Sequence, residues 1–231
     1  MKKIVYILIV VLAIGTAKAQ DVEFTVGADV VSSYIWRGGY GSGASIQPSV
    51  GLSVIGFSFS AWGSTPFEGS TAYKEVDFTA SYEIAGLTIA LTDYWWEGEG
   101  VGKYFMYESK KTDHLFEATL EYTLPIEQFP LSLSVNTMFA GADHIKANGD
   151  RAYSTYISAA YPFSVNSVDL SASIGLTPSE GIYAEDFSVV NIGLKASKEQ
   201  KITDSFSLPV FGEIITNPRS EETFFVFGIS F

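Results

Sequence analysis

Alternation with a period of two runs through almost the whole chain beyond residue 21, and no other feature limits its fold so tightly. From Val22 to Trp36 the even positions read Val, Phe, Val, Ala, Val, Ser, Tyr, Trp, and the odd positions between them read Glu, Thr, Gly, Asp, Val, Ser, Ile. Successive side chains of an extended strand point to opposite faces, so such a segment has one apolar and one polar face. The opposition recurs. Ile46, Pro48, Val50, Leu52 and Val54 stand against Gln47, Ser49, Gly51 and Ser53, and Val76, Phe78, Ala80, Tyr82 and Ile84 stand against Glu75, Asp77, Thr79, Ser81 and Glu83. Residues 114–123 and 168–176 repeat it. No comparable stretch carries a 3.6-residue helical stripe.

Counted to the C-terminus, the alternation predicts twelve strands, at about 22–36, 45–54, 57–64, 74–84, 87–95, 112–124, 131–139, 152–162, 168–177, 187–197, 206–216 and 223–231. Their connections differ in kind. Ile55-Gly56 and Ala85-Gly86 are tight turns, and 125–130, 162–166 and 198–205 are moderate. Between them lie longer segments richer in Gly and charge, at 37–44, 65–73, 96–111, 140–151, 178–186 and 217–222. Short turns at one end and long loops at the other is the layout of an all-β, antiparallel, up-and-down transmembrane barrel of about twelve strands. A secreted β-sandwich would alternate too, because one face of each sheet packs on the core. The barrel is favoured by a polar face rich in Ser, Thr, Glu, Asp and Gly, suited to lining an interior. Aromatic residues near the segment ends also fit interfacial girdles: Tyr34, Trp36, Trp95 and Tyr153 at the loop end, Phe57, Tyr82, Tyr122, Tyr161 and Phe231 at the turn end.

Composition narrows the function. The 231 residues carry a formal charge of −12, which argues against nucleic acid as a partner. With no cysteine there are no disulfides, thiolate metal sites or cysteine nucleophiles, and two histidines do not suffice for a multi-histidine metal centre. No cofactor and no metal is expected. At the N-terminus Lys2 and Lys3 precede an apolar run from Ile4 to Gly15, and Ala17-Lys18-Ala19 supplies small residues at the −3 and −1 positions of a cleavage site. Residues 1–19 therefore read as a secretory signal peptide, too short to span a bilayer, and 20–231 as a single barrel domain. Its removal deletes three lysines and no acid, moving the charge from −12 to −15.

The chain ends Phe225-Val226-Phe227-Gly228-Ile229-Ser230-Phe231, with Phe225, Phe227, Ile229 and Phe231 on one face. Such an ending resembles the insertion signal of bacterial outer-membrane barrels, which implies the barrel-assembly machinery as a partner through Phe231. Further, Ser32-Ser33-Tyr34-Ile35-Trp36-Arg37-Gly38 resembles the S-x-Y-x-[W/F]-R-G opening of the TorF-like porin family, small barrels of the Gram-negative envelope. The likeness continues through Gln47-Pro48, Ala61-Trp62-Gly63-Ser64, Glu75-Val76-Asp77 and Asp93-Tyr94-Trp95-Trp96. It covers the first hundred residues best; the loop from Glu97 to Lys111 departs from it. What it implies is a barrel in the cell outer membrane, surrounded by outer-membrane lipid, with a channel function and no defined substrate.

Parity places Glu23, Asp29, Glu75, Asp77, Glu83, Glu117, Glu121, Asp169 and Glu213 inside such a barrel, with Arg37 and Lys195 as the inward cations and Lys74 and Arg151 near the mouth. Among these, Asp29, Arg37, Glu75, Asp77, Glu117, Glu121 and Glu213 are the candidate selectivity residues of a lumen. An acidic lumen concentrates cations and repels anions, so the expected role is passive diffusion of small cationic or neutral solutes. The competing reading is a plugged barrel with a structural, adhesion or assembly role, its inward carboxylates paired with Arg37, Lys195 and tyrosine hydroxyls. Arg37 is expected at the loop end of the first strand, turned inward to an acid such as Asp29 or Glu213. No catalytic residue is assigned. An interfacial lipid enzyme would have to use His114 or His144 with Ser109 or Ser154, but no G-x-S-x-G elbow occurs and both histidines read as surface residues. Gly38-Gly39-Tyr40-Gly41-Ser42-Gly43 reads as an external loop, since neither a Lys nor a helix follows at the spacing of a phosphate loop.

Overall fold

The structure, a computed structural model, describes residues 22–68, 74–98 and 100–231. The leader expected over 1–19 lies outside the described residues. The described chain is all-β. Its strands are β1 (Val22–Val31), β2 (Tyr34–Trp36), β3 (Gly39–Ser42), β4 (Ser45–Val54), β5 (Phe57–Pro66), β6 (Lys74–Ile84), β7 (Leu87–Glu97), β8 (Leu115–Thr123), β9 (Ser132–Gly141), β10 (Thr155–Val165), β11 (Val168–Thr177), β12 (Ser188–Lys201), β13 (Ser207–Asn217) and β14 (Glu222–Ser230). Twelve of them close into an antiparallel barrel in which each strand pairs with its neighbours in sequence and β1 pairs with both β4 and β14; β2 and β3 form a separate two-stranded ribbon.

Local chemistry sets the turn end. Ile55-Gly56 and Ala85-Gly86 have positive φ at both residues, 47° and 79°, then 52° and 80°. That is the backbone of a two-residue hairpin turn whose twist matches the flanking strands. Asn166, with φ 56°, opens a third tight turn, so β10 runs through Pro162 to Val165 rather than ending at 162. Proline is tolerated there because pairing with β9 stops at Ala160–Ser132, and its missing N–H costs no ladder bond.

The two faces of the wall differ as alternation requires. Phe24, Val26, Phe59, Leu91, Phe225 and Phe227 are all exposed on the outside. Near the turns this apolar belt ends in aromatic pairs, Phe57 with Tyr82 at 4.4 Å between ring centroids and Phe129 with Tyr161 at 5.1 Å. Facing inward are hydroxyl ladders such as Ser58–Ser81 at 2.7 Å and Ser134–Ser158 at 2.8 Å.

The first predicted strand departs from the expectation. It leaves the wall after Val31, and Tyr34 and Trp36 do not join an outer girdle. The second half of the segment becomes the ribbon, which bends into the loop end of the barrel. Its turn is Arg37-Gly38, with φ 51° and 82°, the same two-residue turn found at Ile55-Gly56. Two apolar clusters receive the ribbon inside the wall. Ile35 packs on Val31, Ile215 and Val226, and Trp36 packs with Trp96 on Tyr94, Leu115 and Met138.

Candidate functional site

The ribbon places Arg37 across the lumen rather than against the wall it came from. Its guanidinium meets Glu117 on β8 in a two-pronged pair, Nη1 donating to Oε2 at 2.5 Å and Nη2 to Oε1 at 2.8 Å. The expected partners, Asp29 and Glu213, are not the ones chosen: Arg37 is carried past them on the ribbon and reaches the opposite wall. Tyr94 donates to Glu117 Oε1 at 2.9 Å, and the Tyr183 hydroxyl from the β11–β12 loop accepts from Nη1. Three aromatic rings surround the cation, Trp36 and Tyr156 each 4.8 Å from Cζ and Tyr183 at 5.7 Å. Glu117 is 1 % exposed and Arg37 12 %. A planar guanidinium suits this position, since its fixed fork matches a carboxylate and its faces stack on rings. Burial works against the charge on Arg37, yet the hydrogen bonds to Glu117 hold its pKa above the ordinary arginine value. Burial likewise pushes the Tyr183 hydroxyl above the usual tyrosine range.

The wall is shaped to accept the turn. A bulge between Gly175 and Leu176 of β11 leaves Val190 of β12 as the extra residue, buried, with its carbonyl oxygen against Gly38. Asn217 at the end of β13 donates to the Gly38 carbonyl at 3.2 Å. A second bulge, between Phe116 and Glu117, sets Glu117 opposite Met138, which is fully buried. Bulges re-aim side chains where a regular ladder cannot.

The other candidate residues fall into separate groups. Glu75 and Asp77 sit together on β6, both buried, and Glu75 Oε1 and Oε2 and Asp77 Oδ1 have no hydrogen-bond partner among the described residues. Asp29 and Glu213 line one cavity of about 170 Å³ under the ribbon together with Lys195, whose Nζ lies 4.2 Å from the centroid of Phe211. Glu121 shares the inner face further toward the turns, opposite Thr88 and Ser134. At the turn end, Glu23 and Glu83 border a cavity of about 420 Å³ with four hydroxyl residues. Above the ribbon there are two more cavities, of about 440 and 310 Å³, on either side of Trp36 and Trp96. Lys74, expected near the mouth, pairs with Glu97 at 3.4 Å on the exposed rim, and Arg151 donates to the Gly141 carbonyl.

The histidines stand apart from this site. His114 is not a surface residue but fully buried, with Nδ1 2.6 Å from Asp93 Oδ1 and Nε2 2.6 Å from the Tyr104 carbonyl oxygen. Asp93 pairs in register with Phe78 and Phe116 on the outer face, so the 100–114 segment is fastened through His114 to the outside of the wall. Its Phe105 is 87 % exposed. The neighbouring Asp113 accepts from the Gly102 N–H instead of orienting His114. His144 is exposed and pairs with Glu180 at 2.9 Å, while Ser154, fully buried, donates to Asp143 at 2.5 Å and accepts from the Ile182 N–H at 2.9 Å.

The arrangement that matters is thus a barrel end crossed by a ribbon, clamped to Glu117 on β8, with two buried carboxylates on β6, two strands away, that have no ion-pair partner among the described residues. Alternation could not show it, because the ribbon continues the period. A weaker signal is present: Val31, Ile35, Leu115, Met138, Ile215 and Val226 put apolar side chains on the nominally polar face, all near the loop end. No protein-family model matches this chain, and no curated protein is similar to it.

Proposed function

We propose that this protein is an outer-membrane channel, narrowed at its mouth by its own first loop, through which small cationic or neutral solutes diffuse. The exposed apolar belt and its turn-end aromatics support a lipid surround; an open aqueous phase would leave those side chains costly to hydrate. The alternation, the terminal strand ending at Phe231 and the leader-like residues 1–19 support export to a Gram-negative outer membrane with insertion by the barrel-assembly machinery. The TorF-like resemblance supports the same placement. The observation that carries the channel reading is the charge balance of the inner wall. Arg37 is neutralised by Glu117, leaving, among the described residues, Lys195 and, at the turn end, Lys201 to face Glu23, Asp29, Glu75, Asp77, Glu83, Glu121, Asp169, Glu199 and Glu213. Carboxylates along a narrow tunnel with low-dielectric walls draw in cations and exclude anions.

One observation favours the plugged barrel instead. The Arg37–Glu117 clamp and the apolar clusters beneath Trp36 and Ile35 pack the loop end as a protein interior is packed. Conductance separates the two. The refolded protein in a planar bilayer across a salt gradient should give small unitary steps with a cation-selective reversal potential. Silence at all voltages, in the native protein and in a variant whose ribbon is released, would replace the channel with the plug. An anion-selective potential would overturn the role given to the carboxylates.

A further inference from the structure

We propose that the Glu75 side of the mouth is a binding site for a small organic cation, an alkylammonium or guanidinium group. This goes beyond the channel reading, since binding at the mouth requires no path through the barrel. The cavity of about 440 Å³ above the ribbon is lined by Tyr34, Trp36, Tyr40 and Trp96, with Glu75 in its wall. Glu75 is 3 % exposed and Asp77 8 %. Neither belongs to an ion pair among the described residues; the Tyr34 hydroxyl, the Trp96 indole and the two carboxyls themselves stand close together, but three of the four carboxylate oxygens have no partner there in full hydrogen-bond geometry. Buried carboxylates are ordinarily paired with a cation or hold a proton, because removing a charge from water without compensation is costly.

The protein itself shows what such surroundings hold. A few residues away, the same collar cages the Arg37 guanidinium between Trp36, Tyr156 and Tyr183, with Glu117 as counter-ion. The Glu75 side repeats those residue types, aromatic rings and a buried carboxylate around one cavity, with no side-chain cation beside them among the described residues. Ring faces attract cations electrostatically, tryptophan most strongly. A metal ion suits the site poorly: calcium takes six to eight oxygen ligands, and no group of three or more His, Cys, Asp or Glu is placed to hold a metal among the described residues. The volume is that of a small-molecule pocket.

The test uses the refolded full-length barrel in detergent, titrated calorimetrically and by tryptophan fluorescence with n-butylguanidinium and n-butylammonium. Butyrate and 1-butanol serve as the anionic and neutral probes. One saturable site for both cations is expected, with no binding of butyrate and at least tenfold weaker binding of 1-butanol. Glu75→Gln should weaken cation binding at least tenfold while heat-resistant folding is retained. Should that variant not fold, Asp77→Asn and Tyr40→Ala carry the same expectation of weakened binding, Tyr40 being 57 % exposed on the ribbon. The proposal is overturned by the absence of saturable cation binding, as a proton shared between Glu75 and Asp77 would produce. Equal binding of 1-butanol, or native affinity in the carboxylate variants, overturns it as well. A bilayer silent for both the native and the ribbon-released protein, with intact cation binding, would remove the channel and leave this site standing.

Discussion

Replacing Arg37 with alanine tests whether the ribbon is held by its clamp. The substitution leaves Glu117, 1 % exposed, with the Tyr94 hydroxyl at 2.9 Å and the Thr119 hydroxyl at 3.4 Å in place of two charge-assisted bonds from the guanidinium. Removing one partner of a buried ion pair typically costs about 3–5 kcal/mol, because the remaining charge stays desolvated. The barrel ladders are untouched, so the cost falls on the docking of the ribbon. At about 1.4 kcal/mol per factor of ten, the undocked population should rise roughly 150- to 4,000-fold. Chymotrypsin reads this directly, since Tyr34, Trp36 and Tyr40 all lie on the ribbon. When opening is fast compared with cleavage, the cleavage rate follows the open population. Cleavage at these three positions should therefore accelerate at least a hundredfold, with heat-resistant folding of the barrel unchanged. A rate within threefold of the native protein would refute the reasoning. Arg37→Met with Glu117→Leu removes both charges at once and should bring the rate back to within about tenfold of native, since an apolar pair of similar volume leaves no buried charge.

Two further changes probe the fold at single points. Gly38→Ala places a methyl group at φ 82° and onto the Val190 carbonyl oxygen, so it should cost more than about 1 kcal/mol and raise ribbon cleavage as Arg37→Ala does; native cleavage would mean that the turn is not docked on β12. Deleting Phe231 removes the two backbone hydrogen bonds it exchanges with Ala28, at 2.9 and 3.3 Å, from a seam where β1 and β14 share only three further register pairs. At about 0.5–1.5 kcal/mol per bond, the urea midpoint of the barrel should fall measurably, and an unchanged midpoint would show that the seam does not limit stability.

Much of the wall was legible because its determinants are local. A strand's two faces follow from period two within a few residues. The turns at Ile55-Gly56 and Ala85-Gly86 follow from residue pairs that adopt positive φ. The inward face of Asp29, Glu75, Asp77, Glu117, Glu121 and Glu213 is a matter of counting from those turns. The ribbon was not legible on the same terms. Tyr34, Ile35 and Trp36 continue the alternation of β1 without a break, so the period cannot tell a strand that stays in the wall from one that leaves it. Arg37-Gly38 between Trp36 and Gly39-Tyr40 has the form of a hairpin turn, but the glycines that follow it gave the stretch the composition of a loop. His114 was misplaced for a related reason: what buries it is Tyr104 and Tyr107, brought over it by a loop folded back on the outer wall, together with Asp93 of β7 beneath them.

By itself, then, the sequence determined the twelve wall strands, their order, the tight turns at Ile55-Gly56 and Ala85-Gly86 and which side chains share a face, all consequences of backbone geometry over short spans. Tertiary structure decided what those faces meet. Arg37 and Glu117 are 80 residues apart and become partners only when the closed wall sets β8 across the lumen from the ribbon. The bulge at Val190 gives the turn its seat. Among the described residues the same closure leaves Glu75 and Asp77 buried without an ion-pair partner, because Arg37 is held by Glu117, two strands away, and Lys195 lies with Asp29 and Glu213 under the ribbon.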